Sequence, residues 1–64
     1  MTHSKVWIPA RNDEYIVAVV EWFEDHNGVI QLQRVWPEGQ EWAASPAESL
    51  SFEQRVAICQ EIRS

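Results

Sequence analysis

Cys59, His3 and His26 are the side chains from which this sequence would have to assemble a nucleophile and its base. Cys59 falls on the apolar side of the C-terminal helical pattern, where a thiolate would be desolvated and disfavoured. It reads there as a small core hydrophobe. His26 sits beside Asp25 in a turn, which reads as turn chemistry first and a proton switch second. Two histidines and scattered carboxylates lack the spacing of a zinc or calcium site, and no glycine-rich phosphate loop is present. The expectation is a chain with no catalytic residues, no metal and no cofactor, and hence not an enzyme.

Aromatic side chains carry more information. Trp7, Trp22, Trp36 and Trp42 are a large complement for 64 residues. Trp22 and Trp36 fall on the expected core face of a sheet, whereas Trp7 and Trp42 lie near strand ends or loops, where an indole can anchor a partner. Tyr15, Trp36 and Trp42 would line an aromatic pocket for a cation, with Glu38 or Glu41 adding charge.

Composition narrows the classes. Hydrophobic residues make up 45% and charged residues 23%, which is globular composition, and the length allows one domain, 1–64. No apolar run approaches the roughly 20 residues that span a bilayer, and no basic-then-apolar leader opens the chain. One cysteine makes no internal disulfide, so a reduced, cytoplasmic setting is expected. Five Lys or Arg stand against ten Asp or Glu, a net charge of −5. Lys5, Arg11, Arg34, Arg55 and Arg63 are scattered, so direct nucleic-acid binding is disfavoured and a protein partner with a basic surface is expected.

The elements follow from pattern. Lys5-Val6-Trp7-Ile8 is rich in strand formers, and because Pro9 has no N–H donor the segment is either an edge strand or ends there. Arg11-Asn12-Asp13 reads as a turn. Tyr15–Glu24 is the strongest strand signal, Asp25-His26-Asn27-Gly28 a turn, and Val29–Trp36 the returning strand of a hairpin. A two-residue Asn-Gly turn would pair Phe23 with Leu32 and mix polar and apolar groups on both faces. A longer loop with Gly28 in the left-handed region pairs Trp22 with Leu32. Ile16, Ala18, Val20, Trp22, Ile30, Leu32 and Trp36 then share one face, and Tyr15, Val17, Val19, Phe23 and Val35 are left over on the other. Glu41-Trp42-Ala43 reads as a short third strand. Ser45-Pro46-Ala47-Glu48 and Ser51-Phe52-Glu53-Gln54 both carry capping signatures, met by a short turn and then the main helix, about 52–62. Phe52, Val56, Ile58, Cys59 and Ile62 are its expected packing face, with Arg55 inside the arc and needing a route to water or a partner. The expected fold is α+β: a small antiparallel sheet of about three strands, built on the hairpin 15–36, with the C-terminal helix on one face.

Glu14-Tyr15-Ile16-Val17, the turn glycine Gly28, Trp36 and Gln40-Glu41-Trp42 resemble, in order, the chromodomain pattern. That likeness covers Glu14 to Ile62 and implies a curved antiparallel sheet followed by a helix. It also implies that Tyr15 and Trp36 are cage residues for a methylated lysine. The shortened segment after Trp36 supplies no third aromatic wall. In size and acidity the chain is also similar to the small inhibitors that phages and mobile elements make against host proteins, anti-CRISPR proteins among them.

The expected function is therefore that of a non-catalytic inhibitor or adaptor that occludes a protein surface, including that of a nucleic-acid-binding protein. Tyr15, Val17, Val19 and Phe23 would be apolar anchors, and Glu21, Glu24 and Asp25 would meet basic groups. Peptide reading through Tyr15, Trp36 and Trp42 is the alternative, and a homodimer that buries the leftover face is a third.

Overall fold

A computed structural model describes the backbone of residues 1–64 and every side chain except that of Arg11. Four strands form one antiparallel sheet in the order β1 (Thr2–Pro9), β2 (Tyr15–Glu24), β3 (Ile30–Pro37) and β4 (Ser45–Pro46), and the helix α1 (Phe52–Arg63) packs on it. The α+β class holds, with four strands rather than about three. The additions lie at both ends of the hairpin. The segment before Pro9 pairs along its whole length with β2, from Thr2↔Trp22 to Pro9↔Tyr15. Glu41–Ala43 is a 3-10 turn rather than a strand, and the pairing falls instead on Ser45–Pro46. A second 3-10 turn at Ala47–Ser49 is the expected short turn before the helix.

The β2–β3 turn follows its chemistry. Asp25 accepts hydrogen bonds from the backbone N–H groups of Asn27 (2.9 Å) and Val29 (3.0 Å) and from the Gln31 amide (3.0 Å). Gly28 takes φ 78°, the left-handed conformation that glycine adopts without a Cβ clash. This loop sets Trp22 opposite Leu32.

Farther along β3 the expected register breaks. Trp22 pairs with Leu32 but Glu21 pairs with Arg34, so Gln33 is a bulge residue without a partner. Side chains alternate between faces along a strand, and one extra residue inverts that parity for everything beyond it. Val35, expected outside, joins the core opposite Val20, and Trp36, expected inside, lies on the other face opposite Val19.

The core is Val6, Ile8, Ala18, Val20, Val35 and Ile58, with Trp22, Leu32, Leu50 and Ile62 packed around it. The Trp22 indole N–H donates to Ser4 Oγ at 2.9 Å, so its one polar atom is satisfied under the helix. α1 opens on a capping box: Gln54 N–H donates to Ser51 Oγ (3.2 Å) and Ser51 N–H to the Gln54 side chain (3.0 Å). Its buried face differs from expectation. Ile58 and Ile62 point into the core, but Phe52 is 83% exposed and Val56 is exposed as well. Their place toward the sheet edge is taken by polar residues. The Gln54 amide donates to the Pro9 carbonyl (3.3 Å), and the Glu61 carboxylate accepts from the Trp7 N–H (2.8 Å). Arg55 finds the Ala47 carbonyl at 3.3 Å rather than a carboxylate.

Two truncations on one helix separate these roles. Ile58→Ala is expected to cost about 2–5 kcal/mol, because it opens a cavity in a small core. Phe52→Ala at low protein concentration is expected to stay within about 0.5 kcal/mol, as surface changes do. Urea unfolding followed by tryptophan fluorescence measures both, and equal losses would contradict this packing.

Candidate functional site

The face of the sheet turned away from α1 holds most of the expected contact residues. His3, Lys5 and Trp7 project there from β1, Tyr15, Val17, Val19, Glu21 and Phe23 from β2, and Arg34 and Trp36 from β3, as the pairing register requires.

Much of this face is occupied by its own side chains. Glu21 stands between two bases. Arg34 grips it with a fork, Nε to Oε1 and Nη2 to Oε2, both 3.1 Å, and His3 Nε2 lies 3.0 Å from Oε2. The Arg34 hydrogen bonds, helped by that of His3, hold the Glu21 carboxyl well below its ordinary 4.5, at about 2. The Arg34 guanidinium also lies 5.5 Å over the Trp36 ring, and His3 meets that ring edge-on at 5.7 Å. Under this cover Trp36 is only 6% exposed. Lys5 adds a surface ion pair with Glu38 at 2.6 Å.

The expected contact residues thus divide. Glu21 is spent on Arg34 and His3, and Asp25 on the turn, where the Gln31 amide and then the turn N–H groups hold its carboxyl below the usual range. Val17 and Val19 are half-buried, and Phe23, Glu24 and Tyr15 are exposed. Tyr15, Trp36 and Trp42 do not converge. Tyr15 and Trp36 share a face, but Trp36 sits opposite Val19, four residues along β2 from Tyr15 and so roughly 13 Å away. Trp42 is 84% exposed on its 3-10 turn. Cys59 is half-buried on α1, and among the described residues no hydrogen bond joins it to His3 or His26. Among the described residues there is no group of three metal-ligating side chains, and no helix is long and apolar enough to cross a membrane.

One surface emerges whose two members, Trp7 and Tyr15, the sequence pattern offered as anchors separately and did not place side by side. Trp7 pairs with Val17 and Pro9 with Tyr15, so Trp7 and Tyr15 are diagonal neighbours on the outer face, 56% and 60% exposed. Both line a groove over the free edge of β1, whose far wall is Ala57, Gln60 and Glu61 of α1. Tyr15 also borders a second groove that contains Asp13, Glu14 and Glu53. Alternation within Lys5–Ile8 contained the signal for Trp7, once that strand is paired with β2 in register.

Compared with protein-family models, curated proteins and solved structures, the chain has no match in any of the three. The chromodomain resemblance stays on the residues that carry it, and here a full strand, β1, precedes the Glu14-Tyr15 pair and covers the flank of β2.

The Glu21 pair has a defined pH signature. Its folded pKa is depressed, so its contribution to stability is fully present above about pH 4.5 and is lost as pH falls toward 2. Glu21→Gln is expected to lower stability at pH 7 and to flatten the acid limb of a pH-stability curve across that window. A limb unchanged by the substitution would show that another carboxylate drives acid unfolding.

Proposed function

We propose that the chain is a non-catalytic protein-binding module, of inhibitor or adaptor type, that occupies a basic patch on another protein. The observation that carries this reading is the exposed Trp7–Tyr15 pair, set on a hydrogen-bonded sheet and rimmed by Asp13, Glu14, Glu53 and Glu61. Tryptophan and tyrosine bring large contact areas that lose little side-chain freedom on binding, and they dominate the energetics of protein interfaces. A rim of carboxylates speeds encounter with a cationic surface and disfavours acidic partners. The net charge of −5 adds long-range attraction in the same sense. A nucleic-acid-binding protein offers such a surface in its phosphate-contacting groove, and a small acidic domain seated there would block it.

This reading moves the contact set along the sheet. Tyr15 remains an anchor, Trp7 joins it, and Val17 lies between them in the sheet. Glu21 and Asp25 are needed for the fold, so Glu14 and Glu53 are the acidic contacts to test.

The experiment is capture from lysate of the source organism or its host, at low and moderate salt, followed by titration of the retained protein. Wild type is expected to retain one near-stoichiometric partner that is released as salt rises. Trp7→Ala/Tyr15→Ala should bind it at least tenfold more weakly with an unchanged circular dichroism spectrum, because both side chains are exposed. Glu14→Lys/Glu53→Lys should weaken it and reduce the salt dependence. Undiminished binding by the double alanine variant would overturn the proposal.

A further inference from the structure

α1 carries a second exposed surface. Phe52, Val56, Cys59 and Arg63 follow one another at intervals of four, three and four residues, the spacing of a helix-pairing seam. They lie on a flank beside the face that Ile58 buries, with Phe52 83% exposed, Val56 and Arg63 exposed and Cys59 half-buried. Arg55, Gln60 and these four residues line one continuous shallow groove. Phe52 stays largely in solvent although it is the first residue of a capped helix.

The seam is self-complementary in one orientation. Antiparallel apposition of two copies about a two-fold axis midway between Val56 and Cys59 sets Val56 of each against Cys59 of the other. The same axis sets Phe52 against Arg63 at both ends. Phe52 then offers its ring to a guanidinium, a favourable cation–π contact. Glu53 in the first turn approaches Arg63 in the last turn of the second copy, and the two helix dipoles oppose. Parallel apposition would put Arg63 on Arg63 and align the dipoles. Charge also selects this flank. Lys5 and Arg34 are neutralised by Glu38 and Glu21, whereas Arg63 has no ion-pair partner among the described residues. The residues that line the stripe include two arginines and no carboxylate, so two copies of a chain with net charge −5 meet there with little repulsion between acids.

We infer that this stripe of α1 is the contact between two copies of the chain, a two-fold dimer built on an antiparallel α1 pair. The contact is small, since one twelve-residue helix is about 18 Å long. Its area falls short of the roughly 800 Å² per partner of a stable complex, so the dimer is weak and concentration-dependent. It is centred on Val56 and Cys59, away from Trp7 and Tyr15, and touches that surface at Gln60 and Glu53.

The test uses the intact chain. Sedimentation equilibrium from about 10 µM to 1 mM is expected to show the mass rising from monomer toward dimer. The two Cys59 residues would lie about 4.5 Å apart along the axis and on facing helices, so a short bismaleimide should join them at high concentration. Val56→Glu should raise the dissociation constant at least tenfold and abolish cross-linking without changing the circular dichroism spectrum. Arg63→Glu should weaken association, and Glu53→Lys with Arg63→Glu should restore it. A monomer throughout the range overturns the inference, as does a dimer indifferent to Val56→Glu. Capture of a different protein, lost in Val56→Glu but kept in Trp7→Ala/Tyr15→Ala, would assign the stripe to that protein and also overturn it.

Discussion

Gln33 is one residue too many for its strand, and the sheet is arranged around that excess. Because Gln33 has no partner on β2, Val35 turns inward against Val20 and Trp36 turns outward against Val19. Without it the inner face would have to accept a second indole besides that of Trp22, and the outer face would show a valine. With it the inner face carries Val6, Ala18, Val20 and Val35, small enough for Ile58 to seat against them. The outer face gains a large aromatic plane on which Arg34 and His3 rest. Glu21 then draws both bases together, so one inserted residue gives each side of the sheet its own cover.

The parts of the fold legible in the sequence were those set by local chemistry. Asp25 and Gly28 specify the turn, the valine-rich run from Tyr15 specifies the strand, and Ser51 with Gln54 specifies the helix start. Each interaction lies within a few residues and needs no tertiary partner. The bulge was not legible, because Gln31-Leu32-Gln33 alternates cleanly up to the place where it occurs and Val35-Trp36 offers two apolar residues, either of which would suit the core. The helix face was misjudged for a related reason. Its apolar arc includes Phe52 and Val56, but the bare edge of β1 needs polar partners, and Gln54 and Glu61 serve it. That demand comes from across the molecule and leaves no periodic trace. Of the expected contact residues, Tyr15 kept an open position, while Glu21 and Asp25 are held by partners visible only in three dimensions.

Two aromatic classes result on the surface. Trp36 is held beneath a charged lattice and belongs to the structure. Trp7 and Tyr15 stand on hydrogen-bonded backbone, open to solvent and with carboxylates around them. An exposed indole on a hydrogen-bonded strand is costly to leave facing water but is already ordered, so an incoming surface need not immobilise it. The same edge is protected from strand addition. Glu61 occupies the Trp7 N–H, Gln54 the Pro9 carbonyl, and Pro9 itself has no N–H to offer.

The packing of α1 on β1 joins two elements that lie far apart in the sequence. During synthesis Val6 and Ile8 leave the ribosome more than forty residues before Ile58, the side chain they close upon. The β2–β3 hairpin can form as it emerges, but its apolar face stays bare until the final turn of α1 is released. Closure of the core therefore waits for α1, and the hairpin's apolar face stays open to solvent and to chaperones while the residues between β3 and Ile58 are made.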